Sequence, residues 1–132
     1  MNQIKKFAVV GHPIAHSKSP LIHSLFAKQF DLKLSYEKFD SPPDQFQFQL
    51  DELQEQQYYG LNITLPFKKN AFLCCNQLSA KAMQVESVNT IIFKKTSIYG
   101  DTTDGIGLIN DLLLKKVKLA SSNILLLGAG GA

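Results

Sequence analysis

A chain of 132 residues with 45% hydrophobic and 19% charged side chains has the composition of an ordinary soluble globular protein. It is long enough to bury a core, and it has no apolar run near the roughly 18 residues that span a bilayer. The net charge is only +3, and every basic residue is a lysine, spread as doublets such as Lys5-Lys6 and Lys115-Lys116. With neither arginine's planar fork nor one massed basic block, the pattern argues against a nucleic-acid partner.

In chain order, "KFAVVG" predicts a buried strand ending at Gly11. Ser19-Pro20 then predicts an N-cap with proline in the first helical turn, opening a helix whose inner face pairs Leu21 with Leu25 and Ile22 with Phe26 and Phe30. "KLSYEKFD" alternates like a strand. "SPPDQFQFQLDEL" fits a helix through Phe46, Leu50 and Leu53, with Ser41 and Asp44 resembling a capping box. "GLNITL" is a strand stopped at Pro66, and short helical segments follow in "KKNAFLCC" and from Ser79. "VNTIIFKK" and "SIYGD" predict a hairpin turning at Thr96-Ser97. A helix capped by Thr103 follows, with Ile106, Ile109 and Leu113 inward, and then "NILLLG" as a last strand. Strands alternating with helices predict an α/β fold: a mixed, largely parallel sheet flanked by helices.

The adjacent Cys74 and Cys75 supply neither a disulfide framework nor spaced metal ligands. His12, His16 and His23 lack cysteine or carboxylate neighbours to complete a metal motif, so no metal is expected. The N-terminal apolar run is too short for a secretory signal, so a cytoplasmic location is expected.

Polar residues gather where α/β sheets place ligands, at strand ends and in the loops after them. "HSKSP" offers Ser17 and Ser19; "NITLPFK" offers Asn62, Thr64 and Lys68; "VNT" offers Asn89; "GDTTDG" offers Asp101 and Asp104. Hydroxyls and amides with one lysine and one carboxylate suit a small polyhydroxylated acid. Each also has an ordinary structural use, as a helix cap, a turn residue or a surface charge. Spacing alone does not show that they converge.

"PIAHSKSPLIH", "NITLPFK", "VNT" and "GDTTDG", in this order and followed by "GAGGA", resemble the shikimate dehydrogenase family over essentially the whole chain. The resemblance implies a shikimate-binding catalytic domain over residues 1–102 and a connecting helix over 103–122. It implies that residues 123–132 hold the first strand and glycine loop of an NADP-binding Rossmann domain in a longer protein. It implies reversible, NADPH-dependent reduction of 3-dehydroshikimate to shikimate in aromatic amino-acid biosynthesis. By the same resemblance Ser17, Ser19 and Thr64 bind the substrate carboxylate, and Asn62, Asn89 and Asp104 hold ring hydroxyls. Lys68 and Asp104 form the catalytic pair, and Gly128, Ala129, Gly130, Gly131 and Ala132 serve the cofactor.

Hydride delivery to a ketone builds negative charge on oxygen, which an ammonium can stabilise or protonate. On the residues alone, both roles remain open for Lys68. The chain departs from the family's common pattern at Glu86-Ser87, where Gly-Ala is usual, at Thr102, where asparagine is usual, and at Ala80, where an acidic residue is common. Two alternatives share the motifs: a quinate/shikimate dehydrogenase paralogue, and a shikimate-binding module without catalysis. The expected partner is the small-molecule substrate, with no membrane and a homodimer as a further option. A glycine loop without the helix that follows it predicts that residues 1–132 alone bind shikimate weakly and NADPH not at all.

Overall fold

A computed structural model describes residues 4–128. Strands β1 (Lys5–Gly11), β2 (Leu34–Asp40), β3 (Gly60–Ile63), β4 (Gln77–Leu78), β5 (Thr90–Phe93) and β6 (Ile98–Asp101) form one sheet in the order β2-β1-β3-β5-β6-β4. The pairings of β1 with β2, β1 with β3, and β4 with β6 are parallel. Those of β3 with β5 and β5 with β6 are antiparallel. The sheet is thus mixed and largely parallel, as the alternation of elements predicts. Helices α1 (Ser19–Gln29), α2 (Phe46–Glu55), α3 (Lys68–Cys74), α4 (Ala80–Val85) and α5 (Asp104–Leu114) complete the chain.

Alternation along the strands divides the sheet's two faces. Ala8, Val10, Leu61, Ile63 and Ile91 join Phe46, Leu50 and Leu53 of α2 and Phe67 and Ala71 around α3 in one buried cluster. The rings of Phe46 and Phe67 stack within it, 4.7 Å apart. The interleaved residues Phe7, Val9, Gly60 and Asn62 belong to the opposite face, where α1 lies over β1 and β2.

Several local expectations are corrected. Ser19 is the first residue of α1 rather than its N-cap; Lys18 holds the cap position, and no side chain caps the helix. Leu21, Ile22, Leu25, Phe26 and Phe30 stay between 45% and 65% exposed, while Ala27 is buried. The helix approaches the sheet through this small residue and through His23, which stacks on Tyr36 of β2 at 4.2 Å, so the larger side chains turn outward. Helix α2 starts at Phe46, after a turn over residues 42–45 closed by Gln45 N donating to Pro42 O, instead of being capped by Ser41. Ile106, Ile109 and Leu113 of α5 are also more than 40% exposed. Residues 124–127 form no strand among the described residues, since a strand needs a neighbouring backbone to pair with. The two-residue β4 is too short to show any periodicity in the sequence.

Candidate active site

The topology gathers the candidate residues at one edge of the sheet. Strands β1 and β3 run in parallel, so Gly11 and Ile63 end at the same edge. Strand β5 runs the other way and begins there, with Thr90 opposite Asn62. Strand β6 reverses again and brings Asp101 opposite Thr90. The loop carrying Ser17 and Ser19, the end of β3, Asn89 and the start of α5 therefore meet.

The two turns leaving β1 and β3 are fastened together. Thr64 N donates to Val10 O at 3.0 Å, and His12 N donates to Leu65 O at 3.0 Å. A Cβ on Gly11 would collide with Thr64 Cγ2, so only glycine lets the β1 turn sit this close to Thr64. On the outer side of the same loop, His12 Nδ1 pairs with Asp40 Oδ1 at 2.6 Å, and Lys38 Nζ donates to Ala15 O at 2.6 Å.

A cavity of about 260 Å³ opens at this edge, lined by Ser19, His23, Asn62, Thr64, Lys68, Asn89 and Asp104 with Val9 and Ile63. Lys68 starts α3, and its side chain is only 10% exposed. Its Nζ donates to Asp104 Oδ2 at 2.7 Å. Asp104 starts α5 and accepts Asn89 Nδ2 on its other oxygen, Oδ1, at 2.8 Å. Asn89 Nδ2 also donates to Thr103 Oγ1 at 2.8 Å, while Asn89 Oδ1 accepts from Thr103 N and Thr90 Oγ1. Both donors and both lone pairs of Asn89 are thus engaged. The Thr103 hydroxyl serves Asn89 rather than capping α5.

The serines are tied to each other instead of to the helix. Ser17 Oγ donates to Ser19 Oγ at 3.2 Å and accepts from Ser19 N at 3.3 Å. Freed from capping, the Ser19 hydroxyl faces the cavity. Ser17 does not line the cavity itself. A carboxylate entering here would meet hydroxyls on one side and a lysine ammonium on the other.

Two residues outside the sequence-derived set belong to this neighbourhood. Tyr36 donates from its hydroxyl to Asn62 Oδ1 at 2.6 Å. Burial pushes its phenol well above the ordinary tyrosine range, with the Ser19 hydroxyl pulling the other way. His23 lies flat on the Tyr36 ring, and burial lowers its affinity for a proton. The alternation of β2 carried the only signal for Tyr36, because it puts that residue on the Val9–Asn62 face.

Asp101 lies just outside the cavity and fixes the approach to Asp104. Its Oδ1 accepts from Ser79 Oγ at 2.5 Å and from Thr102 N at 2.7 Å. Of the glycine segment, Gly128 has φ +105°, a conformation natural to glycine, and it does not line the cavity. Ala129, Gly130, Gly131 and Ala132 lie outside the described residues.

Residues 9–91 match the family model described as the shikimate dehydrogenase substrate binding domain. A shikimate dehydrogenase (NADP(+)) of Methylobacillus flagellatus is 46% identical over 128 residues, covering 96% of this chain and 47% of its own. Its counterpart in Hydrogenovibrio crunogenus is 49% identical over 129 residues, with the same two coverages. The solved shikimate 5-dehydrogenase of Thermus thermophilus in complex with shikimate superposes with a TM-score of 0.90 at 34% identity, over 97% of this chain and 49% of that one. The chain spans about half the length of the curated relatives it matches. On the family match and these identities, the chain belongs to the shikimate dehydrogenase substrate-binding domain family.

Proposed function

We propose that this chain is the substrate-binding and catalytic part of an NADP-dependent shikimate dehydrogenase, acting in the reversible reduction of 3-dehydroshikimate to shikimate. The observation that carries the reading is the Lys68–Asp104 pair, which sits in a polar cavity with Ser19, Asn62, Thr64 and Asn89. Relatives named as NADP(+)-dependent enzymes of this class support it.

In this reading Ser17, Ser19 and Thr64 take the substrate carboxylate, and Asn62, Asn89 and Asp104 take ring hydroxyls. The Ser17 proton turns from Ser19 to the carboxylate, and the Ser19 hydroxyl donates beside it. Asn89 gives up its contact to the exposed Thr103 hydroxyl when a substrate hydroxyl arrives. Asp104 keeps the ammonium of Lys68 in place, where it offsets the charge developing on the carbonyl oxygen as that oxygen becomes an alkoxide. The same Nζ carries the proton that completes the alcohol, and it takes that proton back in the reverse direction. NADPH, when bound, supplies the hydride. Gly128 through Ala132 are the residues that would approach its pyrophosphate, and the positive φ of Gly128 suits such a turn. Residues 1–102 then form the substrate domain, 103–122 the connection, and 123–132 the entry to the nucleotide-binding domain.

The test is a two-domain enzyme made by joining this chain to the nicotinamide-binding half of the Methylobacillus flagellatus relative. Oxidation of NADPH with 3-dehydroshikimate is the expected outcome. A well-folded joined protein that binds NADPH but turns over neither 3-dehydroshikimate nor shikimate would contradict the proposal.

A further inference from the structure

Asn62 has its amide orientation dictated from one side. Its Nδ2 faces the Asn89 carbonyl at 3.4 Å, and that carbonyl can only accept. Its Oδ1 therefore faces Tyr36, and since an amide oxygen can only accept, the phenol must donate, which it does at 2.6 Å. The phenol's lone pairs remain for a donor, and the nearby Ser19 hydroxyl works against burial in setting the phenol's affinity for its proton. Ser19 in turn accepts from Ser17.

The link spans the sheet. Tyr36 pairs with Phe7 of β1, Phe7 pairs with Gly60 of β3, and Asn62 lies two residues beyond Gly60 on the same face. Only a side chain as long as tyrosine reaches from β2 across β1 to β3, about two strand spacings or roughly 10 Å. His23 of α1 holds the ring by lying flat against it.

We propose that Tyr36 is a positioning residue, locking Asn62 so that the amide N–H left over from its contact with Asn89 faces the ligand. It touches no reacting atom. The inference rests on the reading of the cavity as a shikimate site, and it deepens that reading by naming what fixes the recognition of a ring hydroxyl. When a carboxylate draws the serine protons away, Tyr36 still donates to Asn62, so the hydroxyl-reading end stays set. Without Tyr36 only the long 3.4 Å contact to Asn89 would hold the amide, leaving it free to turn its acceptor toward the ligand.

Tyr36→Phe keeps the ring and its stacking on His23 and removes only the hydroxyl. In the ligand-free chain, the side-chain amide protons of Asn62 should exchange with solvent about tenfold faster in this variant, as the loss of one part-buried hydrogen bond that holds the amide implies. A lowered melting temperature with an unchanged Asn62 amide would mean a merely structural role and would overturn the proposal. Should the variant not fold, the Tyr36 hydroxyl proton in the unaltered chain should be slowly exchanging and in NMR contact with Asn62; its absence would overturn the proposal equally. With shikimate as the probe, Tyr36→Phe and Asn62→Ala should each weaken binding about tenfold, and the double variant no more than the worse single. Fully additive losses would contradict the coupling. An unaltered chain without affinity for shikimate would defeat the reading of the cavity, while the amide exchange would still decide the role of Tyr36.

Discussion

In the proposed reaction, Lys68 is the residue on which the chemistry turns. Its ammonium is nearly buried, and its ion-pair partner, Asp104, is itself fixed through Asn89. A charge held this way needs no reorganisation when negative charge forms on the substrate oxygen, which is where its effect is largest. In the joined two-domain enzyme, Lys68→Ala should reduce kcat on the order of 10²- to 10⁴-fold while shikimate affinity falls much less. Lys68→Arg should recover little, because guanidinium is planar and keeps its proton. Steady-state kinetics decide this, and a Lys68→Ala enzyme with near-normal kcat would remove Lys68 from the mechanism.

At the scale of elements, helix ends aim the site residues. Helix α4 ends at Glu86 with φ +49° and ψ +39°, left-handed backbone that disfavours a side chain with a Cβ. The shikimate dehydrogenase pattern commonly has glycine there, and this chain retains the geometry without it. Glu86→Gly should therefore raise stability by about 1 kcal/mol, read as a higher denaturant midpoint at unchanged slope. The other end of α4 is capped by Ser79, whose Oγ accepts from Ala82 N at 3.1 Å and donates to Asp101.

That bond holds the Asp101 carboxyl below the usual aspartate range; burial opposes it, and the Thr102 N–H and Lys81 assist. A carboxyl lowered by folding contributes stability above its unfolded value, near 3.9, and that contribution disappears as pH falls through the lower folded value. Ser79→Ala should move the Asp101 titration upward, as followed by carboxyl NMR. An unmoved titration would leave the turn before Asp104 without this support.

Across the whole molecule, the sequence made the alternation of elements legible because each strand except the two-residue β4 carries an apolar or alternating run, and α2 a clean Phe46-Leu50-Leu53 stripe. It misjudged what the stripes of α1 and α5 face, since periodicity reports that a face is apolar and not what lies against it. Ser19 shows the same limit on a smaller scale: Ser-Pro fits an N-cap, but the Ser19 hydroxyl pairs with Ser17 and lines the cavity instead. Convergence of Asn62, Asn89 and Asp104 was beyond sequence spacing, because it depends on β5 reversing against β3. Tyr36 was missed for a related reason, since its partner is two strands away.

The site assignment is tested most directly by titrating shikimate into the isotopically labelled 132-residue chain and following every backbone and side-chain amide by NMR. The expected result is saturable shifts concentrated at Ser17, Ser19, Asn62, Thr64, Lys68, Asn89 and Asp104, weakened in a Ser17→Ala/Ser19→Ala double variant. Shifts centred elsewhere on the molecule, or none at millimolar shikimate, would contradict it.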